Sequence, residues 1–169
     1  VAGNAHYIDD LPELRGTLFA APVMSPVAHG RVNGLDAGAA LALPGVHGLV
    51  LASDIPGQGV FPTAARDEAI LAGEVVQHVG QVVALVVADS VMAARRAARA
   101  VQLDITPLPA ILSVQEALAA QSFVLPPVHV RRGDAQAALA QSAHRLQGRF
   151  ETGGQEHFYL EGQIAYALP

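Results

Sequence analysis

The densest set of chemically capable side chains in the 169-residue sequence follows a pair of glycines near its C-terminal end. Adjacent glycines let a backbone turn tightly or lie very close to a ligand. A buried strand would carry many polar side chains only if each had a hydrogen-bond partner. The segment is therefore either a polar site lined by backbone or a well-satisfied structural corner. Its polar groups are Gln155, Glu156, His157, Tyr159, Glu161 and Gln163.

Gln155 is the strongest single candidate for chemistry in this segment. Its amide both donates and accepts hydrogen bonds and has no proton to lose, so it can hold a ligand without changing the charge of a site. The alternative is that Gln155 ties two backbone segments together at a strand corner. Glu156 and His157 are neighbours that point to opposite faces of a strand, so we expect them not to converge on a metal ion. We interpret both as hydrogen-bonding groups that hold the glycine turn.

The aromatic pair Phe158 and Tyr159 could line a channel for a flat heteroaromatic substrate, or could pack in a core with the tyrosine hydroxyl satisfied. Glu161 is interpreted as a backbone anchor and not as a catalytic base. Asp9 and Asp10 predict a turn or a helix cap. Five further histidines are dispersed without an i, i+4 pair, so no metal site built from them is expected: His29, His47, His78, His129 and His144.

Composition excludes several classes of function. The sequence has no cysteine, which excludes disulfides, thiolate metal sites, a cysteine nucleophile and iron–sulfur clusters within this chain. A net charge of −5 without a basic block gives no support for nucleic-acid binding, and Arg95, Arg96 and Arg99 are expected to form a solvated helix face. No apolar run approaches ~18–20 residues, so no membrane span is expected. The 51% of hydrophobic residues are mostly Ala, Val and Leu, which predicts tight packing of small side chains.

The elements that must position these groups are short strands mixed with few helices, a pattern typical of the α+β class. The valine-rich run 75–88 is interrupted by Gly80, which predicts two strands separated by a sharp bend. A helix capped by Asp89 or Ser90 should follow, running to about residue 100. Further strands are predicted over residues 18–21 (ended by Pro22), 29–35, 46–52 and 101–105, a short helix over 37–43, and a loop from Asp54 to about residue 67.

The chain changes character after Pro109, where we place a domain boundary. Ser113 and Glu116 have the spacing of a capping box, which predicts a short helix. Asp134 should cap a second helix, Ala135–Gln141. An alternating strand is predicted over residues 144–151, and residues 164–168 could pair with it.

Several short motifs resemble, in order, the large molybdenum-binding subunit of the molybdenum hydroxylase family, and most closely its xanthine dehydrogenase branch. The run Gly-Gly-Gln-Glu-His-Phe-Tyr-Leu-Glu at residues 153–161 is a hallmark of that branch. Weaker matches precede it at residues 5–12, 25–32, 44–46, 78–84 and 116–118. The resemblance implies an α/β hammerhead domain over residues 1–109, a linker with a short helix over 110–130, and the first strands of a molybdenum-cofactor-binding domain over 131–169.

The resemblance also implies roles for single residues. Gln155 would contact an oxo ligand of molybdenum, Gly154 and Gln155 would approach the cofactor, and Phe158 would line the substrate channel. No protein side chain would ligate the metal, because a pterin dithiolene holds it in this family. The catalytic base of the family lies in a later segment, so the isolated chain is expected to be inactive.

The activity implied is oxidative hydroxylation of hypoxanthine and xanthine to urate, with water as oxygen source and NAD as final acceptor. The cofactors would be molybdenum–molybdopterin here, and FAD and two [2Fe-2S] clusters in a small partner subunit or another segment. The expected assembly is a cytoplasmic dimer of heterodimers that includes the remainder of the large subunit. Two alternatives stay open: an aldehyde or N-heterocycle hydroxylase, and a non-catalytic structural or docking module.

Overall fold

The computed structural model describes residues 2–63 and 67–168. The chain forms two compact units, one made of Leu14–Pro126 and the other of Val1–Glu13 with Pro127–Pro169. We call them the sheet unit and the terminal unit. The loop predicted to run from Asp54 to about residue 67 includes residues 64–66, which lie outside the described residues.

The sheet unit is built from two antiparallel sheets of three strands together with short helices, which confirms the predicted α+β class. One sheet has the order β1-β5-β3 and the other β4-β2-β6. The bounds in chain order are β1 Phe19–Met24, β2 Gly30–Asp36, α1 Gly38–Leu41, β3 Val46–Leu51, β4 Val75–Val76, β5 Val82–Ala88, α2 Val91–Ala100, β6 Gln102–Pro107 and α3 Val114–Ala119.

Small side chains form the core between α2 and the first sheet. Val86 on the central strand β5 is fully buried, as are Ala94 and Ala97 on the inner face of α2. Alanine at these positions lets the helix backbone lie close to the sheet. The tight packing of small residues predicted from composition is thus confirmed. The helix begins where predicted, because the Ser90 hydroxyl accepts a hydrogen bond from the Ala93 N–H at 3.2 Å.

Strand β1 is longer than predicted, whereas the bend at Gly80 is where the sequence indicated it. The strand does not end before Pro22 but continues to Met24, with Pro22 opposite Leu85. It is an edge strand, and a residue without an N–H is tolerated at an edge. Gly80 has a φ of 85°, which confirms the bend, and the chain there passes from β4 in one sheet to β5 in the other.

The capping box predicted at the start of α3 is confirmed. The Ser113 hydroxyl accepts the Glu116 N–H at 3.2 Å, and the Glu116 carboxylate accepts the N–H groups of Leu112 and Ser113, each at 3.0 Å. The Leu112 N–H, followed by the hydroxyl and N–H of Ser113, lowers the pKa of Glu116. Among the described residues, no helix has the length and apolar character that a bilayer crossing requires.

The terminal unit contains a 3-10 turn at Ile8–Asp10 and the helix α4, Ala135–Gln141, which begins at the predicted cap Asp134. The strands predicted over residues 144–151 and 164–168 are wrong, because the structure has neither helix nor strand there. A strand is stabilised by a neighbouring strand and by burial of one face. Neither is present for Leu146 and Phe150, whose side chains are almost fully exposed.

Candidate functional site

The polar segment identified from sequence is exposed from residue 153 to residue 160. Residues 153–160 lie outside helices and strands, and every residue in this run is exposed to solvent. Gln155 has no hydrogen-bond partner within the described part of the chain. Its amide therefore does not tie two backbone segments together, and both its N–H donors and its oxygen are free to bind a ligand.

Nothing in the described fold explains why glycines precede Gln155. Neither Gly153 nor Gly154 has a positive φ, so no left-handed turn demands a residue without a side chain. A Cβ added at either position would meet nothing within 4 Å among described atoms. The glycine pair instead leaves a bare stretch of backbone whose N–H groups a ligand can approach closely.

Phe158 has a backbone conformation that is rare for a bulky residue. Its φ is 50°, in the left-handed region that glycine and asparagine normally occupy. The ring is 94% exposed, so core packing does not account for its position and the packing alternative is not what the structure has. Strained backbone of this kind concentrates at functional sites. The backbone conformation thus adds a reason, absent from the sequence pattern, to include Phe158 in the candidate site.

Glu161, at the end of the segment, forms a hydrogen bond to the N-terminal part of the same unit. One carboxylate oxygen accepts the Ile8 N–H at 3.1 Å, although 153 positions separate the two residues. Asp10 accepts the Tyr7 N–H at 3.0 Å in the same turn, which confirms the cap predicted for the aspartate pair. The prediction that Glu161 anchors backbone is also confirmed. Its partner Ile8 could not be found from sequence, because no local pattern links residues so far apart.

We expect Glu161→Ala to increase hydrogen exchange at the Ile8 amide about tenfold, since a hydrogen bond to a charged acceptor of this kind contributes on the order of 1–2 kcal/mol. Glu161→Gln keeps an acceptor oxygen and should retain most of the protection. Exchange measured by NMR or mass spectrometry on the intact protein tests this. Glu156→Ala is the matched control, because Glu156 is exposed and has no partner in the described chain. Equal exchange in all three variants would remove the anchoring role.

In the described part of the chain, Glu156 and His157 do not have the hydrogen bonds that the sequence predicted for them. Glu156 and His157 make no hydrogen bond to the glycine pair among the described residues, so their predicted role in holding a turn is wrong. Both side chains are exposed, and an exposed group satisfies its hydrogen bonds with water. Over residues 2–63 and 67–168, no three or more His, Asp or Glu side chains are grouped as metal ligands.

A concave surface lies within the sheet unit, with a cavity volume of about 550 Å³. Two imidazoles line it. His29 Nδ1 is 2.7 Å from the Pro109 carbonyl oxygen and His78 Nδ1 is 3.0 Å from the Val79 carbonyl oxygen. A carbonyl only accepts, so in each neutral ring Nδ1 carries the hydrogen and Nε2 is left as an acceptor. The sequence did not indicate this cleft, because its two sides are far apart in the chain.

Two family models match this chain, one over most of the sheet unit and the other over a range that includes the polar segment. A model described as "Aldehyde oxidase and xanthine dehydrogenase, a/b hammerhead domain" matches residues 2–109. The chain belongs to this family. A second model, described as a molybdopterin cofactor-binding domain, matches residues 116–169 and so includes the whole segment 153–161. The α/β hammerhead fold expected from the resemblance is confirmed, and its two antiparallel sheets are those of the sheet unit.

Curated relatives in the aldehyde oxidase and xanthine dehydrogenase family match almost the entire chain. Xanthine dehydrogenase/oxidase of Gallus gallus is 38% identical over 99% of this chain, and aldehyde oxidase 3 of Rattus norvegicus is also 38% identical over 99%. The chain spans only 12% of the length of each relative. Among solved structures, quinoline 2-oxidoreductase from Pseudomonas putida 86 aligns with a TM-score of 0.67 and 32% identity, over 82% of this chain and 20% of that one.

Proposed function

We propose that this chain contributes part of the molybdenum-cofactor site of a xanthine dehydrogenase-type hydroxylase, which oxidises hypoxanthine and xanthine to urate with oxygen from water. The observation that carries the proposal is the free amide of Gln155 beside the bare glycine backbone. It lies in the stretch that matches a molybdopterin cofactor-binding domain. An exposed amide without a partner among the described residues is available to a ligand as both donor and acceptor.

The residues present fit a molybdenum–molybdopterin group on chemical grounds. A metal carried by its own organic ligand needs no thiolate, imidazole or carboxylate from the protein, and no such cluster occurs in the described residues. It needs neutral donors that orient it, which an amide side chain and exposed backbone N–H groups provide. When bound, the cofactor supplies the two-electron oxidation that accompanies oxygen transfer from water to the substrate carbon.

Four residues of the segment each have a distinct task in this proposal. Gln155 donates an amide N–H to an acceptor atom of the cofactor and so orients it without adding charge. Gly154 lets the backbone approach the cofactor closely. Phe158 offers an exposed aromatic face on which a flat purine can stack. Glu161 holds the end of the segment through the Ile8 N–H.

The wider organisation is proposed from the same resemblance. Residues 1–109 would be the hammerhead domain, 110–130 a linker and 131–169 the start of the cofactor-binding domain. The family-model match to residues 2–109 supports the first range. The second match begins at residue 116, so it includes residues 131–169 and also most of the proposed linker. FAD, two [2Fe-2S] clusters and reduction of NAD would belong to a small partner subunit or another segment, since this chain has no cysteine for a cluster. The assembly would be a dimer of heterodimers in the cytoplasm.

Two relatives favour a second candidate, an aldehyde or N-heterocycle hydroxylase. The aldehyde oxidase of Rattus norvegicus is as similar to this chain as the xanthine dehydrogenase/oxidase of Gallus gallus, at 38% identity each. A quinoline oxidoreductase aligns well in structure. The residues that discriminate between a purine and an aldehyde substrate must therefore be tested in the intact enzyme.

Steady-state kinetics of the intact enzyme, together with its molybdenum content, test the proposal. We expect one molybdenum per active site and a kcat/KM for xanthine about 100-fold above that for benzaldehyde or quinoline, a difference of about 2.7 kcal/mol in transition-state binding. A preference for benzaldehyde or quinoline would replace the purine assignment with the second candidate. A purified enzyme without molybdenum would contradict both and favour a docking module.

A further inference from the structure

The helix α2 carries on its solvent side a stripe formed by Met92, Arg95, Arg96 and Arg99, which we call the arginine stripe. The spacing i, i+3, i+4, i+7 places the four side chains on one helix face. All four are exposed and together line one shallow depression. The opposite face of α2 is the alanine face that packs on the sheet, so the stripe takes no part in the core.

The three guanidinium groups of the stripe form no ion pair within the described part of the chain. The ion pairs found there join His47 to Asp89 and Arg149 to Glu151, and none involves α2. The helix contains no acidic residue. Like charges spaced three and four residues apart, as in Arg95, Arg96 and Arg99, destabilise a helix. The solvated face expected from sequence is confirmed, and ion pairing within the described chain does not account for the clustering of the three charges.

The composition of the stripe matches a protein-binding surface. Arginine and methionine are both enriched where proteins contact one another, and Met92 is 66% exposed beside the charged groups. The helix rises about 10 Å between Met92 and Arg99. This length exceeds the size of a single small anion and suits a row of carboxylates. Guanidinium groups bind carboxylates through paired hydrogen bonds. The net charge of −5 and the small number of cations disfavour nucleic acid.

We propose that the arginine stripe docks an acidic face of a partner protein, in which a row of Asp or Glu side chains flanks an apolar side chain that contacts Met92. The charge complementarity is local, because the chain as a whole is acidic and would repel such a face elsewhere. The proposal concerns the outer face of α2 and does not rest on the function proposed for the terminal unit.

Photo-crosslinking in the purified intact enzyme tests the proposal, with p-benzoylphenylalanine in place of Met92. We expect a crosslink to a peptide that has at least two carboxylates within one helical turn, and a yield that falls steeply as salt is raised from low to high ionic strength. A crosslink within the same polypeptide, a crosslink to a peptide poor in Asp and Glu, or no crosslink at all would overturn the proposal.

Removing the charges of the arginine stripe is a second test of the same proposal. The combined substitutions R95Q, R96Q and R99Q should lower the crosslink yield at least about tenfold, because the carboxylates lose their partners. The matched control is R15Q, R131Q and R132Q, which removes the same charge from exposed positions outside the stripe. Equal yields from the two variants would show that net charge, and not the stripe, governs the contact. Both variants should keep the unfolding midpoint of the parent, since the replaced side chains are exposed.

Discussion

Replacing Gln155 with alanine in the intact enzyme is expected to lower kcat about 10–100-fold while leaving the free energy of unfolding unchanged within about 0.5 kcal/mol. The loss of rate follows from removing the amide that orients the cofactor in the proposed site. The unchanged stability follows from the exposure of Gln155 and from its lack of partners in the described chain. Steady-state assays and urea unfolding of the same preparations give the two numbers.

The matched control for this experiment is Gln163→Ala. Gln163 is an exposed glutamine that follows the run of residues 153–161. The control variant should leave kcat within about twofold of the parent, a change of less than about 0.5 kcal/mol. Molybdenum content must be measured for each variant, so that a slower site is distinguished from an empty one. A fully active Gln155→Ala enzyme with normal metal content would exclude the proposed role of the amide.

Ala97→Leu is expected to destabilise the sheet unit by about 1–3 kcal/mol, because the added carbon atoms have no room in a closely packed core. Ala97 is completely buried on the inner face of α2, beside Ala94 and Ala98 and against the first sheet. The larger side chain must push the helix away from β5 or adopt an unfavourable rotamer. Urea unfolding followed by circular dichroism measures the change in the free energy of unfolding.

The control for overpacking is Ala138→Leu, the same substitution at an exposed position of α4. Leucine and alanine are both good helix formers, so this variant should change stability by less than about 0.5 kcal/mol. If Ala97→Leu were as stable as Ala138→Leu, the core around α2 would contain unfilled space and would not depend on small side chains.

Local signals in the sequence predicted the starts of three helices correctly. The caps at Ser90, Ser113 and Asp134 were each identified, and each accepts a backbone N–H three residues further on. These hydrogen bonds join residues that are neighbours in any helical conformation, so the residue types suffice to indicate them. The bend at Gly80 was predicted for a similar reason, since its left-handed φ is a property of one residue.

Strand predictions were less uniform, because a strand depends on partners elsewhere in the chain. The pattern placed β3 well, whereas β1 passes through Pro22, where a break was predicted. Only its position at a sheet edge makes the proline acceptable. The alternating run at 144–151 looks like a strand in sequence, yet no partner and no buried face exist for it in the described residues. Alternation of apolar and polar residues indicates that a segment can form a strand, but it does not indicate whether another strand pairs with it.

The sequence by itself determined the α+β class, the helix caps and the polar run around Gln155, because each depends on the types and spacing of residues close together in the chain. Only the tertiary structure decided the order of the two sheets and the anchoring of Glu161 by Ile8. It also decided that the Gln155 amide has no partner among the described residues. These features depend on which distant segments meet, and the free energy of such contacts comes from burial and pairing that no local pattern specifies.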